Sequence, residues 1–350
     1  MSKTRTLPGS LPPTPRVCVV GAGYWGKNLI RNFGEIGSLG AVCDVNRRAL
    51  EDFSLRYPHI RIYDSLAQVL GDDSIDAVAI ATPAEQHHSM VMAALREGRH
   101  VFVEKPLALD SEDGIEMVEA AEKRDLVLMV GHLLRYHPAI LKIKELIDAG
   151  TLGRVDYIYS NRLSMGKIRK EENALWSFAP HDISVILALI GEMPVQVTAT
   201  GGAYLQPNIA DVTVSNLLFG RGTRSHIFVS WLHPYKEQKL VIVGSKQMIV
   251  FEDSRLDNKL MLFDKHIEWR NGNMEASKPQ GTPIEFGSEE PLRRECEHFL
   301  HCVLNRKTPL TNGREGLRVL QVLQACQRSL QMNGEPVQVL APRLQRVLAV

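Results

Sequence analysis

The sequence predicts an α/β protein with a doubly wound parallel sheet at its N-terminal end. An α+β domain with an antiparallel sheet is expected to follow. Three observations lead there. Short β-branched runs alternate with longer helical patterns as far as Val130, a glycine-rich turn joins the first run to the first helix, and beyond Gly131 strand-like runs follow one another with few helices between them.

The chain has 350 residues, enough for about two domains. Residues 1–15 carry Pro8, Pro12, Pro13 and Pro15 beside Gly9 and Ser10 and read as a disordered lead-in. From Arg16 the pattern predicts strands at 17–20, 39–43, 60–63, 77–81, 101–103 and 127–130. Helices at 24–33, 47–56, 66–70, 85–96 and 111–123 fall between them. Such alternation lays helices on both faces of a parallel sheet, and the first domain is expected to span 16–135. The second domain, 136–350, opens with a helix at 138–149 and continues with strands at 155–159, 195–200, 212–219, 225–231 and 240–243. Residues 269–290, rich in Asn, Gly and Pro, read as an exposed loop, and amphipathic helices at 292–304 and 316–332 are free to pack back on the first domain.

Composition excludes several functional classes. Lys and Arg total 41 against 40 Asp and Glu, a net charge of +1, which argues against nucleic acid as a main partner. No apolar run approaches the ~20 residues that cross a bilayer, and residues 1–16 hold no signal-peptide core, so a cytoplasmic location away from membranes is expected. The five cysteines, Cys18, Cys43, Cys296, Cys302 and Cys326, read as free thiols used as small hydrophobes. Cys296, His298, His301 and Cys302 have a zinc-like density, but Leu292, Cys296, Phe299 and Val303 form one apolar helix face that turns Cys296 inward and His298 aside. No metal site is expected.

Gly21-Ala22-Gly23-Tyr24-Trp25-Gly26 is G-x-G-x-x-G between a strand and a helix. There the first glycine makes a tight turn, the second lets backbone approach a pyrophosphate, the third lets helix pack on strand, and the helix N-terminus offers free N–H groups to phosphate. Asp44 ends the second strand, where a carboxylate accepts ribose hydroxyls and repels a 2′-phosphate, favouring NAD over NADP. Arg47 and Arg48 oppose that preference, since Arg beside the acid can grip the phosphate or stack on adenine. Ala81-Thr82-Pro83 and Glu104-Lys105-Pro106 end two further strands at the same sheet edge. Lys105 can there donate to a substrate hydroxyl or a developing carbonyl.

Together, the glycine motif, Ala81-Thr82-Pro83 followed by His87, Glu104-Lys105-Pro106, and Gly131-His132-Leu133-Leu134-Arg135-Tyr136-His137-Pro138 resemble the signatures of the glucose–fructose oxidoreductase, inositol dehydrogenase and MocA (Gfo/Idh/MocA) family. The resemblance implies an N-terminal Rossmann domain, a C-terminal α+β domain with a large, open, mostly antiparallel sheet, and hydride transfer between a sugar or cyclitol carbon and nicotinamide. It places NAD against Gly21, Gly23, Tyr24, Trp25, Gly26, Asp44, Asn46, Arg47, Thr82, Pro83, His87, Glu104, Lys105 and Arg135. It also gives Lys105 a substrate contact and, at the family's general-base position, His181. The family usually flanks that histidine with acids four residues before it and three after; Ser177 and Ser184 stand there instead, and Asp182 adjoins the histidine. An imidazole with a pKa of about 6.5 suits acceptance of an alcohol proton.

The stretch 161–176 holds four basic residues, Arg162, Lys167, Arg169 and Lys170, which would suit a diphosphate if it forms a loop entering the active site. With the serine-flanked histidine it is similar to the branch that oxidises UDP-N-acetylglucosamine, or its uronate, at C3 ahead of an aminotransferase in 3-amino-sugar formation for lipid A or surface polysaccharide. Substrate contacts are then expected from Lys105, Tyr136, Arg162, Lys167, Arg169, Asn173, Trp176, Ser177 and His181. Glu171 and Glu172 would disfavour a uronate if they face it, which leans towards UDP-N-acetylglucosamine. A cyclitol or free-sugar dehydrogenase and a non-catalytic NAD-binding sensor are the rival readings. Apolar runs at 214–219 and 227–231 suit a homodimer or homotetramer built on the open sheet.

Overall fold

The computed structural model describes residues 14–166, 168–264, 267–270, 272–276 and 279–339. The expected lead-in, apart from its last two residues, and Lys167 lie outside them. Alternation of apolar runs with amphipathic stretches gives β1 (Val17–Val20), α1 (Gly26–Ile36), β2 (Leu39–Cys43), α2 (Arg47–Arg56), β3 (Arg61–Tyr63), α3 (Leu66–Leu70), β4 (Ala77–Ile80), α4 (His87–Arg96), β5 (His100–Glu104), α5 (Ser111–Lys123) and β6 (Leu128–Gly131). The six strands are all parallel, in the order β3-β2-β1-β4-β5-β6. Every residue of β1 and β4 is buried, as expected where helices cover both faces. Strand order reverses between β1 and β4, so the carboxyl ends of these two strands form the switch point where doubly wound sheets bind ligands.

The later chain forms α6 (Pro138–Asp148), β7 (Val155–Met165), α7 (Ala174–Ile190), β8 (Pro194–Gly202), β9 (Val212–Phe219), β10 (Arg224–Ser230), β11 (Leu232–Gly244), β12 (Gln247–Glu252) and β13 (Leu260–Asp264). It ends with β14 (Ile267–Arg270), β15 (Asn273–Ala276), β16 (Gly281–Pro283), α8 (Pro291–Asn305), α9 (Gly313–Gln331) and β17 (Val337–Gln338). Nine of these strands make a mixed sheet in the order β16-β13-β12-β11-β7-β10-β9-β8-β17, where only β7 and β10 pair in parallel. One face carries the core, in which Ile183, Ile186 and Leu187 of α7, Val322 and Leu323 of α9 and the fully buried Trp231 meet inward-pointing strand residues.

Two compact units result. One comprises residues 14–104, 116–131 and 292–313, the other 105–115, 132–291 and 314–339. The break falls after Gly131 rather than after Arg135. Most of α8 belongs to the first unit, where Phe299 packs edge-on against Phe33 of α1 and Phe102 of β5.

Two local expectations are corrected, and one helix is not anticipated. Residues 161–165 are strand, because β7 lies between β10 and β11 and bonds to both, whatever the polarity of its side chains. Helix α7 escapes the periodic pattern: buried on nearly every side, it has no polar face, and Pro180 in its interior argues locally against a helix. Within 269–290, β14 and β15 pair across a turn with Gly272 at φ 79°, and β16 pairs with β13, so this segment is not all loop.

Candidate active site

In the first unit the glycine turn is set by steric need. Gly21 has φ +94°, and a Cβ there would lie 2.8 Å from the Ala81 carbonyl oxygen. At Gly26 a Cβ would meet the Gly21 carbonyl oxygen at 1.8 Å, so the third glycine is required by the turn itself. Gly23 has nothing within 4 Å of its Cβ position, which leaves its backbone open to an approaching ligand. Asp44 is held rigidly: Oδ2 accepts from the Ala22 N–H at 2.6 Å and Oδ1 from the Asn46 N–H at 2.8 Å. Asn46 caps α2 by accepting from the Arg48 N–H at 3.2 Å. Trp25 Nε1 donates to Glu104, tying the turn to the end of β5, while Tyr24 is exposed. His87 is buried and donates through Nε2 to the Thr82 carbonyl at 3.1 Å, bracing the end of β4 beside Pro83. An open backbone at Gly23, a helix N-terminus and an anchored acid at the end of β2 fit a dinucleotide.

In the second unit Lys105 Nζ donates to the Ser177 carbonyl at 2.9 Å. Pro180 lacks the N–H that would bond the Trp176 carbonyl, which disrupts α7 next to the carbonyl that Lys105 uses. His181 lies one helical turn beyond Ser177 on the same face. Its Nδ1 is buried with no hydrogen-bond partner among the described residues. Burial, then the charges of Lys105 and Arg162, hold its pKa well below the usual imidazole value, so the ring is neutral. His132, in the same unit, is buried with neither ring nitrogen bonded, and burial pushes its pKa down to about 3.

Asp182 does not orient His181. It accepts from Ser160 Oγ at 2.6 Å and receives both Nε (2.8 Å) and Nη2 (3.0 Å) of Arg162, a forked ion pair between α7 and β7. Arg162 is therefore no loop residue free for a diphosphate. Arg169 pairs with Glu172 at 3.0 Å, and Glu171 accepts from the Lys170 N–H, so these glutamates have local partners and the argument from them against a uronate lapses.

Asn173 caps α7 through the Trp176 N–H at 3.1 Å, and Gln327 Oε1 of α9 accepts from Asn173 Nδ2 (2.9 Å) and Trp176 Nε1 (3.0 Å). Gln327 is absent from the sequence-based set because nothing but its polarity marks it within α9. Tyr136 and Ser177 are buried, and Arg135 lies in the second unit, 3.8 Å from Glu315. All five cysteines are buried free thiols. His298 Nε2 accepts from the Leu310 N–H at 3.0 Å. Among the described residues no helix is long and apolar enough to cross a membrane.

Residues 15–132 match the model of an oxidoreductase family with an NAD-binding Rossmann fold (Gfo/Idh/MocA), and residues 140–250 match the Gfo/Idh/MocA C-terminal domain. The chain is 28% identical over 314 residues to UDP-N-acetylglucosamine 3-dehydrogenase of Acidithiobacillus ferrooxidans, covering 87% of this chain and 94% of that one. The solved structure of that enzyme superposes with a TM-score of 0.80 at 25% identity, covering 91% of this chain and 98% of its own. Myo-inositol 2-dehydrogenase of Thermotoga maritima is 25% identical over 333 residues, 90% of this chain and 96% of the relative. The WlbA dehydrogenase of Bordetella pertussis, solved with NADH and UDP-GlcNAcA, shares the fold with a TM-score of 0.77 at 23% identity, covering 94% of this chain and 100% of that one. The chain belongs to the Gfo/Idh/MocA family and is an oxidoreductase whose cofactor is NAD.

Proposed function

We propose that this oxidoreductase oxidises the C3 hydroxyl of a UDP-N-acetylated sugar, UDP-N-acetylglucosamine in the first instance, to the 3-keto sugar. The observation that carries the reading is Lys105 seated on the Ser177 carbonyl one turn before a neutral His181 whose buried Nδ1 has no partner among the described residues, with serines where the family usually has acids. The similarity over most of both chains to a UDP-N-acetylglucosamine 3-dehydrogenase supports it.

NAD, when bound, accepts the hydride from the carbinol carbon. His181 takes the hydroxyl proton, directly or through Lys105, and a neutral imidazole is ready to do so without first losing a proton. The Lys105 ammonium donates to the substrate oxygen and stabilises it as it becomes a carbonyl. Of the basic residues in the sequence stretch 161–176, Arg169 and Lys167 remain the candidates for a diphosphate, and Arg162 serves to fix α7 on β7. The 3-keto product is a substrate for an aminotransferase.

A cyclitol reading is the second one, favoured by the ion pairs that engage Arg162 and Arg169 and by the similarity to inositol dehydrogenases. We further propose that the chain works as a homodimer or homotetramer through the outer face of the nine-stranded sheet. There the half-buried Tyr157, Tyr159, Val214, Leu218 and Phe228 alternate with core residues.

Isothermal titration of UDP-N-acetylglucosamine, its uronate, UDP and myo-inositol into NAD-saturated protein, with absorbance at 340 nm on the same mixtures, tests the reading. Binding of a UDP-sugar with a rise at 340 nm supports it and selects the sugar. Oxidation of inositol with no binding of UDP compounds replaces it by the cyclitol reading.

A further inference from the structure

The adenosine end of the first unit carries an arrangement that the glycine turn and Asp44 do not explain. Arg47 opens α2 three residues after Asp44, and an Arg at this place has the planar fork that grips a 2′-phosphate. Its side chain is 82% exposed, so packing does not fix where it points. An ion pair does: Nη2 lies 2.7 Å from Asp64 Oδ2. Asp64 directly follows β3, the strand that pairs with β2, and the Asp44 N–H donates to the Tyr63 carbonyl at 3.2 Å. Two carboxylates thus end adjacent strands. The Asp64 N–H donates in turn to Gln68 Oε1 at 3.1 Å, which fixes the backbone carrying the second of them. Beside the pair, Arg47, Tyr63, Asp64 and Gln68 line part of a surface concavity of about 480 Å³, room enough for Arg47 to swing elsewhere were it not held.

We infer that Asp64 is a second determinant of coenzyme choice, a positioning residue that draws Arg47 away from the 2′ position and so keeps the enzyme on NAD. Asp44 repels a 2′-phosphate directly. Asp64 engages Arg47, the first of the two cations, Arg47 and Arg48, that open α2. Neither effect requires contact between Asp64 and the coenzyme. The inference rests on NAD binding by the first unit and not on the identity of the sugar, so its test contains no sugar.

The experiment is calorimetric titration of NAD and NADP into wild-type protein, Asp64→Asn, Arg47→Ala and the double variant, at low ionic strength. Release of Arg47 in Asp64→Asn is expected to tighten NADP by roughly threefold to fivefold, the scale of an exposed ion pair. NAD affinity in Asp64→Asn is expected to stay nearly constant, and the NADP gain to vanish in the double variant. Unchanged NADP affinity in Asp64→Asn with NAD binding intact overturns the inference. So does a gain that persists without Arg47, which would assign the phosphate contact to Arg48 or to simple loss of negative charge. Should wild-type NADP binding be too weak to titrate, the same comparison with adenosine 2′,5′-bisphosphate displacing NAD gives the ratio.

Discussion

Lys105 Nζ donates to the backbone carbonyl of Ser177 at 2.9 Å, across 72 positions of sequence, so the lysine is docked on the helix that carries His181. The contact is with a carbonyl and not with a side chain, so replacing Ser177 by Ala leaves the acceptor in place. Lys105→Met and His181→Ala are expected to lower kcat by about 10²–10⁴-fold, the range for loss of a general acid or base. His181→Ala is expected to retain NAD binding, and calorimetry beside steady-state rates separates binding from chemistry. Full activity in both variants would remove these residues from the chemistry.

The pH dependence follows from charge. Burial, Lys105, Arg162 and His132 all push the His181 pKa down from 6.5, so the base stays unprotonated through neutral pH. The acid limb of kcat/KM for alcohol oxidation is expected below pH 6.5. In Lys105→Met it moves up, because that variant removes the cation with the largest effect on the ring. A wild-type limb at or above 6.5 contradicts this account.

The Arg162–Asp182 pair is buried, with side chains 14% and 4% exposed. Removing one partner strands the other charge, so Arg162→Met is expected to destabilise the fold by about 3–5 kcal/mol. The double variant Arg162→Met with Asp182→Leu should recover much of the loss. Urea unfolding of the two single variants and the double variant measures the coupling.

Glu295 of α8 is fully buried, and neither carboxylate oxygen has a partner among the described residues. Burial, then the charge of Glu104, raises its pKa well above 4.5, so the folded protein keeps a proton that the unfolded chain releases. The stability this group contributes is full below pH 4.5 and falls as pH rises towards the folded value, at about 1.4 kcal/mol per pH unit. Glu295→Gln is expected to flatten that decline and to unfold at a higher temperature than wild type at pH 8. Parallel wild-type and variant curves would show that Glu295 is ionised in the fold.

Phe228 and Val214 are directly paired on β10 and β9 and stand on the outer side of the sheet. If a second copy covers this face, Phe228→Glu shifts the sedimentation coefficient towards the monomer while far-UV circular dichroism is unchanged. A wild-type protein that sediments as a monomer at micromolar concentration rules out the assembly.

By itself the sequence determined the parallel sheet, the glycine turn and the acid at the end of β2. Each is a local necessity: side-chain period dictates strand or helix, and a Cβ at Gly21 or Gly26 would collide with backbone carbonyls. It also marked Lys105 and His181 as candidates for the chemistry, through their motifs. Only the tertiary structure decided what those residues touch. Asp182 is adjacent to His181 in sequence yet turns to Arg162, because successive residues on a helix point about 100° apart. Gln327 reaches Asn173 across 154 positions, Asp64 holds Arg47, and Glu295 loses its solvent when α8 packs beside Phe102. Such pairings depend on the register of segments far apart in the chain, and no period or motif within a single segment encodes them.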